Sequence, residues 1–525
     1  MYRPFYRDNR VVPLGIMLLT FIIFVYHFEL DRQGPLGEIP AVAVPDKLVI
    51  DTPRTHSEPV VDIVESADVV IAEEVAHPAI PSAIPSSKPK SYTSSSGSKS
   101  LHLPKAISAD DVVLMFKTGA TVLWKRVPIH LSTSLSPNRI NHDNVLIYSD
   151  YPEKIGDWEI IDVLENTTES VRNSETFQPY LQQEDYESRQ NYAEISNMPG
   201  DSAGPPGGWK LDKYKFLPIV QHAGLNRPDA KWYIFMEDDS YIFLPNLLRH
   251  LERFDYREPW YLGSLAWIHG DYFAHGGSGF AISRGAWEKS FGKDPNIVEK
   301  FHAFTEEHGC GDHILGHVLK EYDVQFGETH DDSRFRYGFN PESHWSTWFE
   351  QANWCKPVYS WHHTHGKDVA RFYNLEQSWD FEQVRNRLIP LKQAGKTNMK
   401  QGPLRFRDIF KALVAPYLRS RVEWWDNWSS KYEIRSNNAQ DAQPPSSVKT
   451  TDVWRSAWKS VDSCEAACVS WAECVQWSFY EDRCKMDSMA LLGSGIPEGD
   501  SRRQTTLPWV SGWLSQRVEN WQCQE

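Results

Sequence analysis

WYIFMEDDSYIFLPNL, residues Trp232–Leu247, is the stretch on which the fold turns. Its first five residues are an unbroken apolar run, the pattern of a strand buried on both faces of a parallel sheet. Three carboxylates follow at once, Glu237, Asp238 and Asp239, and LPNLLRHL then predicts a helix beginning at Pro245. Carboxylates at the C-terminal edge of a parallel strand are well placed to hold a divalent ion and a nucleotide, because ligands collect there in open α/β sheets. The competing reading is an acidic turn that caps the next helix.

Working outward, DVVLMF (Asp111–Phe116) and NVLIYSD (Asn144–Asp150) are short apolar runs separated by enough chain for a crossover helix, which is how a parallel βαβ unit looks. Pro128 lies between them, so that helix should be short or kinked. Ser188–Gly208 reads as a helix running into a Gly/Pro loop, and Trp209–Ala223 suits another helix. Downstream, HGGSGFAIS (His275–Ser283) joins Gly276 and Gly277 to a strand; the glycine pair permits close approach of backbone to a ligand, or marks a tight turn with a bulge. GCGDHILGHVLKE (Gly309–Glu321) sets Asp312 at the start of an amphipathic helix, as N-cap or general base. WHHTH (Trp361–His365) puts three imidazoles after an apolar run, either ligands suited to Mn²⁺ or Zn²⁺ or plain surface histidines.

The whole chain has 525 residues, too many for one ordinary core, so two folded units or one large domain with appendages are expected. A net charge of −15 argues against a nucleic-acid partner. The 22 Trp, 22 Tyr and 24 Phe exclude collagen-like and wholly disordered chains.

Val11–Phe28 carries no Asp, Glu, Lys or Arg and as a helix would span about 27 Å, enough for a bilayer. Arg3, Arg7 and Arg10 precede it and Glu29 and Asp31 follow, so the charge bias leaves residues 1–10 in the cytosol and the rest in a lumen. A cleaved signal peptide is the alternative. Residues 29–106, rich in Pro, Ser, Val and Ala, read as an extended stem. Cys464, Cys468, Cys474, Cys484 and Cys523 crowd the last stretch, which suits disulfides of an oxidising compartment. Asn166-Thr-Thr and Asn427-Trp-Ser are N-glycosylation sequons. Asn437–Lys449 reads as a linker.

In this order WYIFMEDDSYIFLPNL, HGGSGFAIS, GDHILGHVLKE and PVYSWHH resemble the fringe and core 1 β-1,3-galactosyltransferase group, glycosyltransferase family 31, including its fungal members. DVVLMFKTGATVLWKR with NVLIYSD resembles the opening βαβ of that group. The resemblance covers Asp111 to His365 and the helices up to Trp428, and it implies an α/β fold of the GT-A nucleotide-sugar type over 107–432. It also implies roles. Asp239 and His362 would ligate Mn²⁺, and Glu237 would contact the ribose and the metal-bound diphosphate. Thr118, Gly119, Lys213, Asp238, Gly276, Gly277 and His363 would line the donor site. Asp312 would be the catalytic base, with Trp345 and Trp348 on the acceptor side. The chain departs from the family pattern at Glu237, usually Asp; at Gly311, often acidic; and at His363, Tyr in core 1 enzymes, which leaves His363 or His365 as alternative ligands.

The C-terminal piece, 451–525 beyond a linker at 433–450, resembles a small disulfide-rich α+β module of the PAN/apple type, which binds protein or glycan or caps the catalytic domain. Cys464–Cys484 and Cys468–Cys474 are the preferred pairings there. A Cys310–Cys355 bridge is expected in the catalytic domain, leaving Cys523 over. The resemblance thus implies a single-pass type II membrane enzyme of the Golgi or another secretory membrane, moving a sugar from a UDP-sugar to a glycan or glycoprotein. UDP-galactose with β-1,3 linkage is the first expectation and UDP-GlcNAc the next. A metallohydrolase built on Asp238, Asp239, Asp312 and the histidines, or a non-catalytic carbohydrate-binding protein, are the readings from other classes.

Overall fold

Val112–Lys117 (β1) is buried along its whole length, and its side chains divide by alternation between two hydrophobic cores. Val112, Leu114 and Phe116 enter one, and Val113 and Met115 enter the other. Trp232–Glu237 (β5) does the same, with Trp232, Ile234 and Met236 on one side and Tyr233 and Phe235 on the other. That is why both runs are apolar without interruption: each strand is covered on both faces. The computed structural model describes residues 107–189, 208–324, 326, 338–380, 400–448, 450–505 and 507–523. The expected tail, anchor (11–28) and stem (29–106), and the loop at 190–207, lie outside them. Among the described residues no helix is long and apolar enough to cross a membrane.

The remaining strands of this half are β2 (Val145–Ser149), β3 (Glu153–Ile155), β4 (Trp158–Asp162), β6 (Tyr241–Ile242), β7 (Tyr261–Gly263), β8 (Leu265–Ile268), β9 (Asp271–Ala274), β10 (Phe280–Ser283), β11 (Phe339–Asn340) and β12 (Ser360–Trp361). Five of them join β1 and β5 in one seven-stranded sheet, in the order β3-β4-β2-β1-β5-β10-β7. β1 runs parallel to β2 and to β5, and β2 parallel to β4, whereas β10 is antiparallel to β5 and β7. The result is a mixed α/β fold with a parallel-rich centre, compatible with the GT-A type. From β1 the chain moves first to β2 on one side and later to β5 on the other, so the C-terminal ends of β1 and β5 flank a topological switch point, where a crevice opens. The crossover helix Leu123–Ser132 is short, ten residues with Pro128 inside it, as Pro128 predicts. A smaller sheet, β11-β12-β6, stands next to that edge.

A second, five-stranded antiparallel sheet joins Val422–Glu423, Val510–Trp513, Gln476–Tyr480, Arg483–Asp487 and Tyr432–Arg435. Strands from upstream of the stretch read as a linker are therefore part of it. Cys464–Cys484 stitches helix Val461–Ser470 to this sheet, and Cys468–Cys474 closes the turn after the helix. The third disulfide corrects an expectation: Cys355 is bonded to Cys523, and Cys310 is a free, exposed thiol. Cys310 is held at the start of helix Gly311–Glu321, while the segment ending at Cys355 meets the C-terminal tail, a pairing 168 residues apart that local spacing could not signal. Ten of the 22 tryptophans are buried, with Trp232, Trp354, Trp361, Trp454 and Trp477 fully so.

Candidate active site

The C-terminal ends of β1 and β5 carry paired charges in register, Lys117 opposite Glu237. Lys117 Nζ lies 3.2 Å from Glu237 and 2.5 Å from Asp212 at the start of helix Asp212–Asn226. Lys215, one turn along that helix, reaches Asp212 at 3.2 Å and Asp150, just beyond β2, at 3.1 Å, and donates to Thr118 O at 3.2 Å. Burial alone would lower both ammonium groups, but Asp212 and Glu237 hold Lys117 above its ordinary value, and Asp150 and Asp212 do the same for Lys215. Burial, reinforced by Asp212 and Asp239 against the pull of Lys117, pushes Glu237 up to about 7.

Thr118 and Gly119 leave β1 into this crevice. Thr118 Oγ1 donates to Asp238 Oδ2 at 2.5 Å, and Ala120 N–H donates to Asp150 Oδ1 at 2.9 Å. Asp238 is turned inward. Arg126 Nη1, from the crossover helix, sits 2.9 Å from its Oδ1, and burial raises its carboxyl despite that guanidinium. Arg126 also lies 3.5 Å from Asp239 Oδ2. Glu237, Asp238, Thr118, Gly119 and Asp239 are thus brought together. Lys213 is not: its ammonium donates to Glu306 O at 2.9 Å, and Lys215 is the lysine that faces the Thr118 loop.

Asp239 meets the histidines. Asp239 Oδ1 is buried, has no hydrogen-bond donor among the described residues, and stands 3.5 Å from His362 Nε2. Ligand atoms of Asp239, His362 and His363 all lie within 4.8 Å of one another. Thr364 N–H donates to Asp239 O at 2.7 Å, which turns the chain so sharply that His363 adopts φ 49°. Histidine tolerates that left-handed region better than a β-branched residue. His362 Nδ1 donates to Pro341 O at 2.9 Å, which turns Nε2 toward Asp239. Burial would raise Asp239, but His362 and Arg126 hold it well below the carboxylate range; burial would lower His362, but Asp239 raises it. His363 is pulled down to about 4 by burial and by His362. An orphaned buried carboxylate oxygen facing two imidazoles, one oriented by a backbone carbonyl, fits a divalent cation of the Mn²⁺ or Zn²⁺ kind. His365 stands apart from this group, stacked on Trp345 with 5.6 Å between ring centroids.

The glycine pair joins this group to Asp312. Gly276 N–H donates to Asp312 Oδ2 at 2.8 Å, and His313 N–H donates to Oδ1 at 2.8 Å. A carboxylate offers about four lone-pair positions, so two backbone donors orient Asp312 and leave it able to accept a further proton. Both glycines are required by contact. A Cβ at Gly276 would fall 2.9 Å from the Phe216 ring, and one at Gly277 would fall 2.2 Å from His362 Nε2. Asp312 is half-buried; Trp348 is 55 % exposed and Trp345 half-buried.

Sequence reasoning passed over Lys117, Arg126, Asp150, Asp212 and Lys215. For Lys117 and Asp150 a signal existed, since Lys117 ends one apolar parallel strand and Asp150 directly follows another.

Residues 107–330 match the family model described as Fringe-like, so this part of the chain is similar to the Fringe-like glycosyltransferases. Asp239 and Asp312 lie inside the match; His362, His363, Trp345 and Trp348 lie beyond it.

Proposed function

We propose that the protein is a divalent-metal-dependent, inverting β-1,3-glycosyltransferase that moves galactose from UDP-galactose to a glycan hydroxyl, anchored by residues 11–28 as a type II protein of a secretory membrane. The observation that carries this reading is the two-glycine step that joins Asp312, through Gly276, to His362 and Asp239, through Gly277. A base and a cation-type group are thereby set on either side of one short backbone segment.

Inversion is a displacement at the anomeric carbon: the acceptor oxygen attacks as the bond to the diphosphate breaks. Asp312 accepts the acceptor proton, which makes the oxygen a better nucleophile. A divalent cation held by Asp239, His362 and His363 would neutralise charge on the departing diphosphate. The nucleotide enters at the Thr118–Gly119 turn, which Lys215 fixes through Thr118 O; because Lys117 and Lys215 are already paired with Asp150, Asp212 and Glu237, the charge of the diphosphate is left to the cation. Glu237 contacts the ribose. The face of Trp348 receives the acceptor sugar.

UDP-GlcNAc as donor is the second reading, favoured by the Fringe-like match. Both are tested by incubating the purified full chain with a panel of UDP-sugars, Mn²⁺ and glycan acceptors and measuring released UDP. Acceptor- and Mn²⁺-dependent release with one donor supports the proposal and names the sugar. Absence of UDP-sugar binding in the presence of Mn²⁺ rejects it, and binding without turnover favours a carbohydrate-binding protein.

A further inference from the structure

The loop from Pro341 to Cys355 is held at its start, middle and end by different parts of the molecule. At its start Pro341 O accepts from His362 Nδ1, and Trp345 stacks on His365 at an interplanar angle of 11°. These contacts tie it to the strand end that carries the metal-type group. In its middle, Phe349 and Ala490 exchange backbone hydrogen bonds of 3.0 and 2.8 Å, and Gly493 N–H donates to Trp345 O at 2.9 Å. At its end Cys355 is bonded to Cys523, and Trp354 packs edge-on against Trp521 at 5.2 Å. Phe349 and Trp354 are buried by this arrangement, whereas Trp348 keeps its ring in solvent.

The strap Met489–Gly493 grips main chain at Trp345 and Phe349, on both sides of the exposed Trp348. Gly493 itself passes the neighbouring chain closely: its φ is +66°, and a Cβ there would fall 2.0 Å from Asp426 O. Fixing the backbone on either side of an exposed indole removes the ordering cost that a mobile loop would incur when a sugar settles on it.

We propose that the C-terminal module is a built-in wall of the acceptor site: through the 489–493 strap and the Cys355–Cys523 disulfide it positions Trp348 for a glycan acceptor. This rests on the transferase reading above. The positioning residues are Ala490, Gly493 and Cys523; none of them touches the reacting atoms.

The test uses the full chain carrying Cys355→Ser with Cys523→Ser, compared with wild type. Acceptor KM should rise about three- to tenfold while kcat and the affinity for UDP with Mn²⁺ stay within about twofold, the signature of lost acceptor binding alone. Trp348→Ala should cost less in the disulfide-free background than in wild type, because the ring is already mispositioned there. Trp521→Ala, which loosens the same end without removing the covalent bond, should move acceptor KM in the same direction and serves if the double variant does not fold. Unchanged acceptor KM in a folded variant, or independent multiplication of the two effects, overturns the positioning role. A wild type that neither binds UDP nor turns over any UDP-sugar overturns the transferase reading, and this proposal with it.

Discussion

Gly277 lies so close to the His362 ring that no residue with a side chain fits between the HGGSG turn and the imidazole. The contact is to Nε2, the nitrogen that faces Asp239. Gly277→Ala should therefore displace the ring, and the affinity for Mn²⁺ should fall about 10- to 100-fold, the usual cost of disturbing a ligand's orientation. Titrating Mn²⁺ against wild type and variant by calorimetry checks this; equal affinities would mean that His362 is not a ligand.

Asp312 offers a cleaner separation of binding from chemistry. Asn at this position keeps the size and one acceptor oxygen, so the backbone donor at Gly276 can still be met, yet the group no longer takes up a proton. Asp312→Asn should lower turnover about 10²- to 10⁴-fold with UDP affinity retained. Initial rates at saturating donor and acceptor decide it. Near-normal kcat would remove Asp312 from the chemistry.

Away from the site, Arg139 and Glu376 form a two-point ion pair in which both side chains are 1 % exposed. Arg139 also donates to Ser134 O and Ile242 O, so it ties the segment after the crossover helix to β6. Arg139→Leu leaves Glu376 charged and buried, which should cost about 3–5 kcal/mol. Arg139→Leu with Glu376→Leu should recover much of that loss. Urea unfolding of the intact chain measures both.

His250 supplies a pH dependence. Burial, with Arg253 adding, lowers it to about 3, and its ring stacks on Tyr359. The unfolded chain binds this proton below about pH 6.5 and the folded one does not, so stability falls as pH drops from about 6.5 toward 3, by at most about 1.4 kcal/mol per pH unit from this group. In His250→Phe that contribution should vanish. The comparison is the difference in urea midpoint between the two proteins at pH 7 and pH 5, and a constant difference refutes it.

What the sequence made legible follows from how local each signal is. β1 and β5 were readable because both faces of each strand are buried, which leaves an unbroken apolar run. Asp239 and His362, which the fold brings to 3.5 Å, could be singled out because one lies two residues past a strand and the other directly after one. The lysines were not: Lys213 and Lys215 are two apart on a helix, about 200° around it, and only the packing of Asp212–Asn226 against β1 decides which one enters the crevice. The partner of Cys355 depends on where the C-terminal tail ends in space, which no spacing records.

The same distinction between pattern and packing separates the two sequons. Asn166 is exposed in the turn after β4. Asn427 is fully buried: its Nδ2 donates to Trp477 O at 3.1 Å, and its Oδ1 accepts from Ser429 Oγ at 2.8 Å. A glycan on that amide would break both contacts and part the C-terminal sheet, so chains carrying one would not reach the folded state. Folded protein isolated from a secretory host should therefore bear a glycan at Asn166 alone. Asn166→Gln should abolish the mass shift on enzymatic deglycosylation, and Asn427→Gln should leave that shift intact while lowering the unfolding midpoint. A glycopeptide containing Asn427 in the folded fraction would show that this strand pairing opens far more readily than its hydrogen bonds imply.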